Sequence, residues 1–268
     1  MTYIRLDYSD LLLPALLVVM NGVCSIVLQL RLERQLAIAT VRMVIQLALV
    51  GYVLTFLFAA VSPLWTALAA ILMVLFASQE IGVRQKRPLR GGWSYGLGAA
   101  CTLMASATVT TFALLTQLRP DPWYNPRYAL PLLGMILGNT MTGISLGLDV
   151  LTNGLVRDRA AVEARLALGD SRYHALLPVT RDALRSGLMP TINAMAAMGL
   201  VSLPGMMTGQ ILAGVEPVDA VKYQLLVMFL IVGGTGLGTV AAVVGGAYRL
   251  TDRRHRLRLD RLVSGPET

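Results

Sequence analysis

The run YQLLVMFLIVGGTGLGTVAAVVGGA, residues Tyr223–Ala247, contains no Asp, Glu, Lys or Arg. A transmembrane helix needs about 20 mostly apolar residues to cross a hydrocarbon core of about 30 Å. Lipid offers no partner to backbone N–H and C=O groups, so only helices and closed barrels span membranes. Barrel strands alternate apolar and polar residues, and this run does not. It therefore predicts a membrane-spanning helix.

Six other apolar stretches predict further spans. They are Leu11–Leu30, Val41–Ala60, Leu64–Ile81, Trp93–Leu115, Tyr128–Leu151 and Leu188–Ala213. The first has neither the basic flank nor the cleavage site of a secretory signal, so we expect it to be retained. Only 14% of the 268 residues are charged, whereas soluble domains average about 25%. The sequence predicts an all-α, polytopic integral membrane protein with seven transmembrane helices, forming a single domain over residues 1–268.

The basic residues predict how these spans are oriented. Cytoplasmic loops carry an excess of Lys and Arg, and nineteen of the 23 basic residues fall on one side when alternate loops are grouped. The four on the other side are Arg5, Arg119, Arg127 and Lys222. We expect an outside N-terminus and a cytoplasmic C-terminus in the cell (inner) membrane. Short basic runs between apolar stretches, as opposed to one basic face, argue against nucleic acid as a partner.

Glycines recur at four-residue spacing in two of the spans. The pairs are Gly134 and Gly138, Gly143 and Gly147, and Gly234 and Gly238. Small residues at this spacing let helix backbones approach closely. We expect these positions to pack helices together, within the bundle or between protomers.

The predicted spans lack the groups that a gradient-driven transporter needs. Ionisable residues near the bilayer midplane mark ion and proton paths, but the deep polar residues here are neutral: Asn21, Gln46, Asn139 and Asn193. The sequence contains no phosphate-binding GxxxxGK[ST] loop and no cluster typical of a catalytic or metal site. We expect neither an enzyme nor a bound cofactor, and any metal ligands are unknown.

The longest polar stretch, Thr152–Gly187, predicts a functional cytoplasmic segment, because connections of this length usually carry function or their own structure. Gly169 is suited to end a first short helix in the left-handed conformation. Asp170 or Ser171 is suited to cap a second. The expected apolar stripe of the first helix contains Ala161, Ala164 and Leu168. Such an element fits a groove on a partner; the alternative is a solvated loop without one.

The predicted sixth span contains the helix-breaking run Leu203-Pro204-Gly205-Met206-Met207. Proline removes a backbone donor and glycine adds conformational freedom, so the span should break or kink here. Broken spans tend to line a cavity or path. The candidate substrate-path residues are Asn139, Asn193, Pro204, Gly205, Met206 and Met207. The alternative is an inert kink whose gap the methionines fill.

Several of these motifs resemble those of known transport proteins. Glu163-Ala164 with Gly169 is similar to the EAAxxxG loop of ABC-transporter permeases, although Arg165 replaces the second alanine. Longer runs resemble the FetB/YbbM family of iron-export permeases. They are GMILGN (134–139), EARLALGDS (163–171), RDALR (181–185) and GLVSLPGMM (199–207).

The resemblance implies the permease subunit of an ABC exporter, working in ion transport and iron homeostasis. A separate FetA-type ATPase subunit would use the ATP, and two copies of the permease would form a homodimer in the lipid bilayer. The implied ATPase-coupling helix contains Glu163, Ala164, Gly169, Asp170 and Ser171. Related plant proteins, associated with aluminium tolerance, keep another metal or a nucleotide sugar open as the substrate. A non-transporting membrane scaffold is a further alternative.

Overall fold

A computed structural model describes residues 7–252 and 254–263, apart from the side chain of Tyr8. Arg5 and Arg253, which the charge pattern included, lie outside the described residues. The described chain contains helices, short 3-10 and π turns and isolated β-bridges, but no β-strand. The all-α prediction is confirmed. The chain divides into two compact units, residues 1–61 and 62–268, and the single domain stays a prediction.

The first unit contains α1 (Leu12–Val27) and α2 (Glu33–Ala60). The hydroxyl of Ser25 fixes the turn between them, because it donates to Glu33 Oε2 and accepts from the backbone N–H of Leu32, both at 3.0 Å. Ser25 and Leu57 are the buried residues of these two helices. Most of their other apolar side chains are exposed, as expected of helices that lie in lipid or against another protein.

The second unit is a bundle built around two long helices. Its elements are α3 (Pro63–Val83), α4 (Trp93–Ala113), α5 (Pro126–Arg157), α6 (Arg159–Ala167), α7 (Arg172–Ala197), α8 (Gly205–Leu212) and α9 (Pro217–Arg249). α5 and α9 lie at the centre, where α5 packs against α3, α4, α7 and α9. Ile136, Ile144 and Leu148 of α5 are fully buried there.

Six helical segments are long and apolar enough to cross a membrane. They are Ser9–Val27, Glu33–Ala60, Pro63–Val83, Trp93–Leu118, Pro126–Arg157 and Pro217–Arg249. Six of the seven predicted spans are therefore found as such helices. The sixth, Leu188–Ala213, is wrong as a continuous helix, because α7 ends at Ala197 and α8 begins only at Gly205. Gly199 has a φ of +86°, which a continuing α-helix cannot contain.

The polar stretch Thr152–Gly187 is also more helical than predicted. α5 continues to Arg157, and α6 is the expected short helix. The second helix is not short, since α7 has 26 residues and runs into the predicted sixth span. Its buried positions are Ala175, Leu176, Val179, Ala183, Gly187 and Thr191. Packing of this face on α5 and α9 sustains the helix despite two internal prolines.

The C-terminal residues complete one end of the second unit. The backbone N–H of Arg90 donates to the carbonyl of Arg261 at 2.7 Å, and that of Val263 donates to the carbonyl of Pro88 at 2.9 Å. The backbone N–H of Arg172 donates to His255 Nδ1 at 3.1 Å. The α3–α4 loop, the start of α7 and the tail therefore meet at one end, called the basic end below because three of the arginine-rich runs lie there.

Candidate functional site

α6 lies at the basic end with most of its surface exposed. Val162 is its one buried residue. Glu163 is exposed and accepts a hydrogen bond from Arg159 Nε at 2.8 Å, one turn earlier. Such a surface pair contributes only about 0.5 kcal/mol. The helix is therefore anchored through Val162, with Leu166 half-buried against the same core, and is otherwise accessible.

The predicted apolar stripe of α6 does not face the core. Ala161 and Ala164 are exposed, and Leu168 is 88% exposed. The side of α6 opposite Val162 turns outward and leaves this stripe accessible, as the predicted fit to a groove on a partner requires. The contact with a partner stays a prediction. An exposed leucine beside small residues is an accessible apolar surface of the kind that partner proteins contact.

A glycine joint connects α6 to α7, as the sequence predicts. Gly169 has a φ of +98°, a conformation that glycine adopts without steric cost. The backbone N–H of Asp170 donates to the carbonyl of Arg165 at 3.1 Å, closing the end of α6. Of the two predicted caps, Ser171 begins α7, since its side chain accepts from the backbone N–H of His174. Asp170 is exposed and does not cap the helix.

An ion pair marks the other end of α6. Arg157 donates from Nε and Nη2 to the two carboxylate oxygens of Asp158, each at 2.9 Å. This hydrogen bonding lowers the pKa of Asp158 below its ordinary value. The joint between α5 and α6 thus holds a charged pair at neutral pH.

The first two thirds of α7 approach α5 and α9 closely. A β-carbon added at Gly187 would lie 2.6 Å from the carbonyl oxygen of Gly143 and 2.6 Å from Thr239 Cγ2. One added at Gly154 would lie 2.7 Å from Val179 Cγ1. Real β-carbons do not occur at such distances, so only glycine fits. This part of α7 is therefore held by close contacts of its backbone with the neighbouring helices.

The glycine-spacing prediction is confirmed within the bundle at four positions, since added β-carbons at Gly143, Gly147, Gly234 and Gly238 would collide with neighbouring helices. Gly138 has open space beside it, and a β-carbon at Gly134 would touch only the end of the Met73 side chain. Gly187 was not identified from the sequence. Its four-residue spacing from Ala183 is a small-residue pattern that could have indicated close helix packing. The pattern was missed because this stretch was interpreted as polar.

The other end of α7 is loosely held. Residues 198–204 form a compact irregular turn, in which the backbone N–H of Gly199 donates to the carbonyl of Ser202 at 2.9 Å. Leu200 and Val201 in this turn are 94% and 84% exposed. Pro204 then precedes the first residue of α8. The predicted break exists, but it begins six residues before Pro204.

The structure does not join the predicted path residues into one cluster. Asn139 is half-buried, and its Nδ2 donates to the carbonyl of Met135 at 2.9 Å in its own helix. Asn193 is exposed, and no hydrogen bond connects it with Asn139. Met206 packs against the buried cluster around Val227, as does Met198. Pro204 and Met207 are half-buried and Gly205 is exposed. Their role in a substrate path stays a prediction.

Buried polar atoms without partners lie in the same bundle. They are Thr102 Oγ1, Thr110 Oγ1, Thr140 Oγ1, Thr235 Oγ1, Thr239 Oγ1, Gln85 Nε2, Gln210 Oε1 and Gln224 Oε1. Buried polar groups are normally hydrogen-bonded, so each such atom calls for an explanation. Sequence reasoning missed the threonines because they lie within otherwise apolar runs. Within the described residues, no group of three His, Cys, Asp or Glu side chains could hold a metal ion.

Comparison with known proteins identifies relatives over nearly the full length. The model of the family described as "Uncharacterised protein family (UPF0014)" matches residues 8–251. The chain is 36% identical to the UPF0014 membrane protein slr1647 of Synechocystis, over 94% of this chain and 96% of that protein. It is 31% identical to the "Probable iron export permease protein FetB" of Escherichia coli, over 95% and 96% respectively.

A plant relative matches over a shorter range. The "Protein ALUMINUM SENSITIVE 3" of Arabidopsis thaliana is 34% identical, over 80% of this chain and 76% of that protein. No solved structure matches the chain. The resemblance to the FetB permeases is confirmed, and this membrane protein belongs to the UPF0014 family.

Proposed function

We propose that this chain is the membrane-spanning permease subunit of an ABC exporter, and that a separate FetA-type ATPase subunit drives it. The observation that carries the proposal is the pairing of α6 with α7. α6 is short and exposed, and Gly169 joins it to a helix wedged between α5 and α9. An accessible element joined to a helix that packs on the core of the bundle is the arrangement that mechanical coupling requires.

In this proposal the ATPase presses on Glu163, Ala164 and the apolar side of α6. α7 is about 39 Å long at 1.5 Å per residue. Its contacts through Gly187 do not yield without moving α5 and α9 as well. Movement at the basic end therefore reaches the loosely held turn 198–204. A closely packed helix between a docking element and an exposed turn can act as a lever.

The proposed topology has seven crossings, an outside N-terminus and a cytoplasmic basic end in the cell inner membrane. α7 with the turn 198–204 supplies the seventh crossing. α7 carries Arg181, Asp182 and Arg185, so it is not counted among the six segments that are apolar enough to cross a membrane. Its far end nevertheless lies beside the start of α9, because Met198, just beyond α7, contacts Gln224 in the first quarter of α9. The exposed apolar faces of α1 and α2 support assembly of two copies as a homodimer.

Iron is the proposed substrate, because a FetB permease is among the relatives. Iron prefers oxygen and nitrogen ligands. The unpartnered Gln210 Oε1 and Gln224 Oε1 and the buried threonine hydroxyls are neutral oxygen donors. Neutral donors bind an ion weakly enough to release it, as conduction requires. Another metal or a nucleotide sugar remains the alternative substrate, and a non-transporting scaffold the alternative role.

The test is reconstitution of the full chain with the ATPase subunit in liposomes, followed by ATP-dependent iron flux. Glu163→Ala should lower flux while ATP hydrolysis continues, because the ATPase loses its contact with the lever. Glu216→Ala is the matched control, since Glu216 is an exposed acid just before α9, and it should leave flux unchanged. Equal flux in all three proteins would exclude coupling through α6.

A further inference from the structure

A basic pocket at the end of α9 is not used by the proposed transport function. Its volume is about 340 Å³, and its walls include Trp93 at the start of α4, Arg172 at the start of α7, and Tyr248 and Arg249 at the end of α9. Arg261 from the C-terminal tail closes it. Three helices and the tail thus bring three arginines to one concave site.

Aromatic rings hold two of these arginines in place. The guanidinium of Arg249 lies 4.4 Å from the ring centre of Trp93. That of Arg172 lies 4.5 Å from the ring centre of Tyr248 and 5.0 Å from that of Tyr173. Arg172 Nη2 also donates to the Tyr173 hydroxyl at 3.1 Å, and Arg261 Nη1 donates to the carbonyl of Arg249 at 2.6 Å. Stacking on an aromatic face leaves the other guanidinium N–H groups available to an anion at the edge of the group. Both side chains are therefore preorganised.

The positive charge of the pocket is not neutralised by the described residues. None of Arg172, Arg249 and Arg261 forms an ion pair with a described carboxylate. The acid in the pocket wall, Asp252, already accepts from Arg256 Nε at 2.9 Å and from two backbone N–H groups. Asp260, beside Arg261, is bound by Nε and Nη2 of Arg258, each at 2.8 Å. An anion is the missing partner.

An apolar groove begins at the same pocket. It has a volume of about 290 Å³, lies between α7 and α9, and shares Arg172, Tyr248 and Thr251 with the basic pocket. Its remaining walls are Tyr173, Leu176, Leu177, Thr180, Leu184, Val244 and Ala247. It leads from the charged end towards Val244, inside the run of α9 that carries no charged residue. Tyr248 and Val244 are 53% and 48% exposed, so the groove is open at the surface of the bundle.

We propose that this end of the bundle binds an anionic glycerophospholipid. Its phosphate lies among Arg172, Arg249 and Arg261, and an acyl chain follows the groove between α7 and α9. Basic pockets between transmembrane helices commonly bind the headgroups of anionic lipids. A phosphate alone would leave the groove empty, and a zwitterionic lipid would bring a cationic ammonium group next to the three arginines. Because the site touches the start of α7, bound lipid steadies the lever at its basic end.

The experiment measures lipid binding to the purified full chain by native mass spectrometry, with the melting temperature as a second readout. The four probes are phosphatidylglycerol, phosphatidylcholine with the same chains, glycerophosphoglycerol without chains, and inorganic phosphate. Phosphatidylglycerol should bind at least about tenfold more tightly than the others, because it alone supplies both net negative charge and a chain. Equal binding of phosphatidylcholine, or of the soluble phosphates, would overturn the proposal.

Matched variants locate the site. Arg172→Gln and Arg249→Gln should each weaken phosphatidylglycerol binding about tenfold through loss of one charged hydrogen-bond donor. Val244→Trp should also weaken phosphatidylglycerol binding about tenfold, because the indole ring would fill the groove that takes the acyl chain. Arg181→Gln, at an exposed α7 position outside both walls, is the control and should bind like the wild type. Wild-type affinity in both arginine variants would refute the assignment.

Two further outcomes are decisive. If Arg249→Gln fails to fold, Arg172→Gln and the comparison of phosphatidylglycerol with phosphatidylcholine on the unaltered chain still test the site. If phosphatidylglycerol does not bind but the arginine variants lose association with the ATPase subunit, the pocket contacts an acidic protein surface and the proposal is wrong. None of these readouts depends on transport activity.

Discussion

The two ends of α7 differ in how closely they are packed. Near the basic end, Val179, Ala183 and Gly187 lie against α5 and α9 at backbone distances. At the other end, Asn193 is exposed and the helix gives way to the turn 198–204, where Gly199 has no neighbour within 4 Å of an added β-carbon. The contrast shows that one helix can be held by close packing along its first two thirds and be weakly packed at its end.

The largest expected effect on stability comes from placing a larger side chain in the closely packed part of α7. Gly187→Val places methyl groups against the Gly143 carbonyl and Thr239, so the variant should lose about 3 kcal/mol of folding free energy. The melting temperature in detergent should fall by roughly 6–12 °C. Gly138→Ala is the control, because open space surrounds that position and alanine favours helix. Equal melting temperatures for the two variants would mean that α7 is not held by close packing.

A smaller effect is expected at the helix start. Ser171→Ala removes the side-chain acceptor for the His174 N–H and should cost about 1 kcal/mol. Asp170→Ala, one residue earlier, should stay within about 0.5 kcal/mol because its side chain caps nothing. Thermal unfolding of both variants measures the difference. The reverse ranking would place the cap at Asp170.

At the end of α7 that leads into the turn 198–204, replacing Pro204-Gly205 with Ala-Ala should change transport while leaving the stability of the fold almost unchanged. An added β-carbon at Gly205 would meet nothing within 4 Å, and Pro204→Ala only removes atoms from a half-buried side chain. The free energy of unfolding of the Ala-Ala variant should therefore change by less than about 1 kcal/mol. Iron flux with the ATPase subunit should nevertheless fall, since a more helical turn opposes opening. Unchanged flux would show that the break is an inert kink.

The smallest effect concerns the C-terminal tail. Bonding to Arg258 lowers the pKa of Asp260 to about 2. A carboxyl whose pKa is lowered by folding stabilises the fold above its unfolded pKa of 3.8, and that contribution is lost as the pH falls towards 2. Asp260→Asn should therefore differ slightly from the wild type at pH 6 and match it below pH 2. A difference that grows on acidification would have the wrong sign.

Composition and periodicity were enough to predict the helical membrane fold, because a long uncharged run such as Tyr223–Ala247 can form few stable structures other than a membrane-spanning helix. They failed at α7, since Arg181 and Asp182 make this helix look like a loop while its packed face lies on the other side. Gly169 and Ser171 were predictable because turns and caps depend on local chemistry. Arg172 and Arg249 were not, since their common pocket depends on contacts distant in sequence.

The most direct test of the lever account compares iron flux in proteoliposomes that contain this chain alone with flux after the ATPase subunit and ATP are added. The account predicts no flux from the chain alone, even under an imposed proton or sodium gradient. Flux should appear with ATP and the ATPase, and Glu163→Ala should abolish most of it. Rapid gradient-driven flux through the chain alone would contradict a mechanism that operates through α6 and α7.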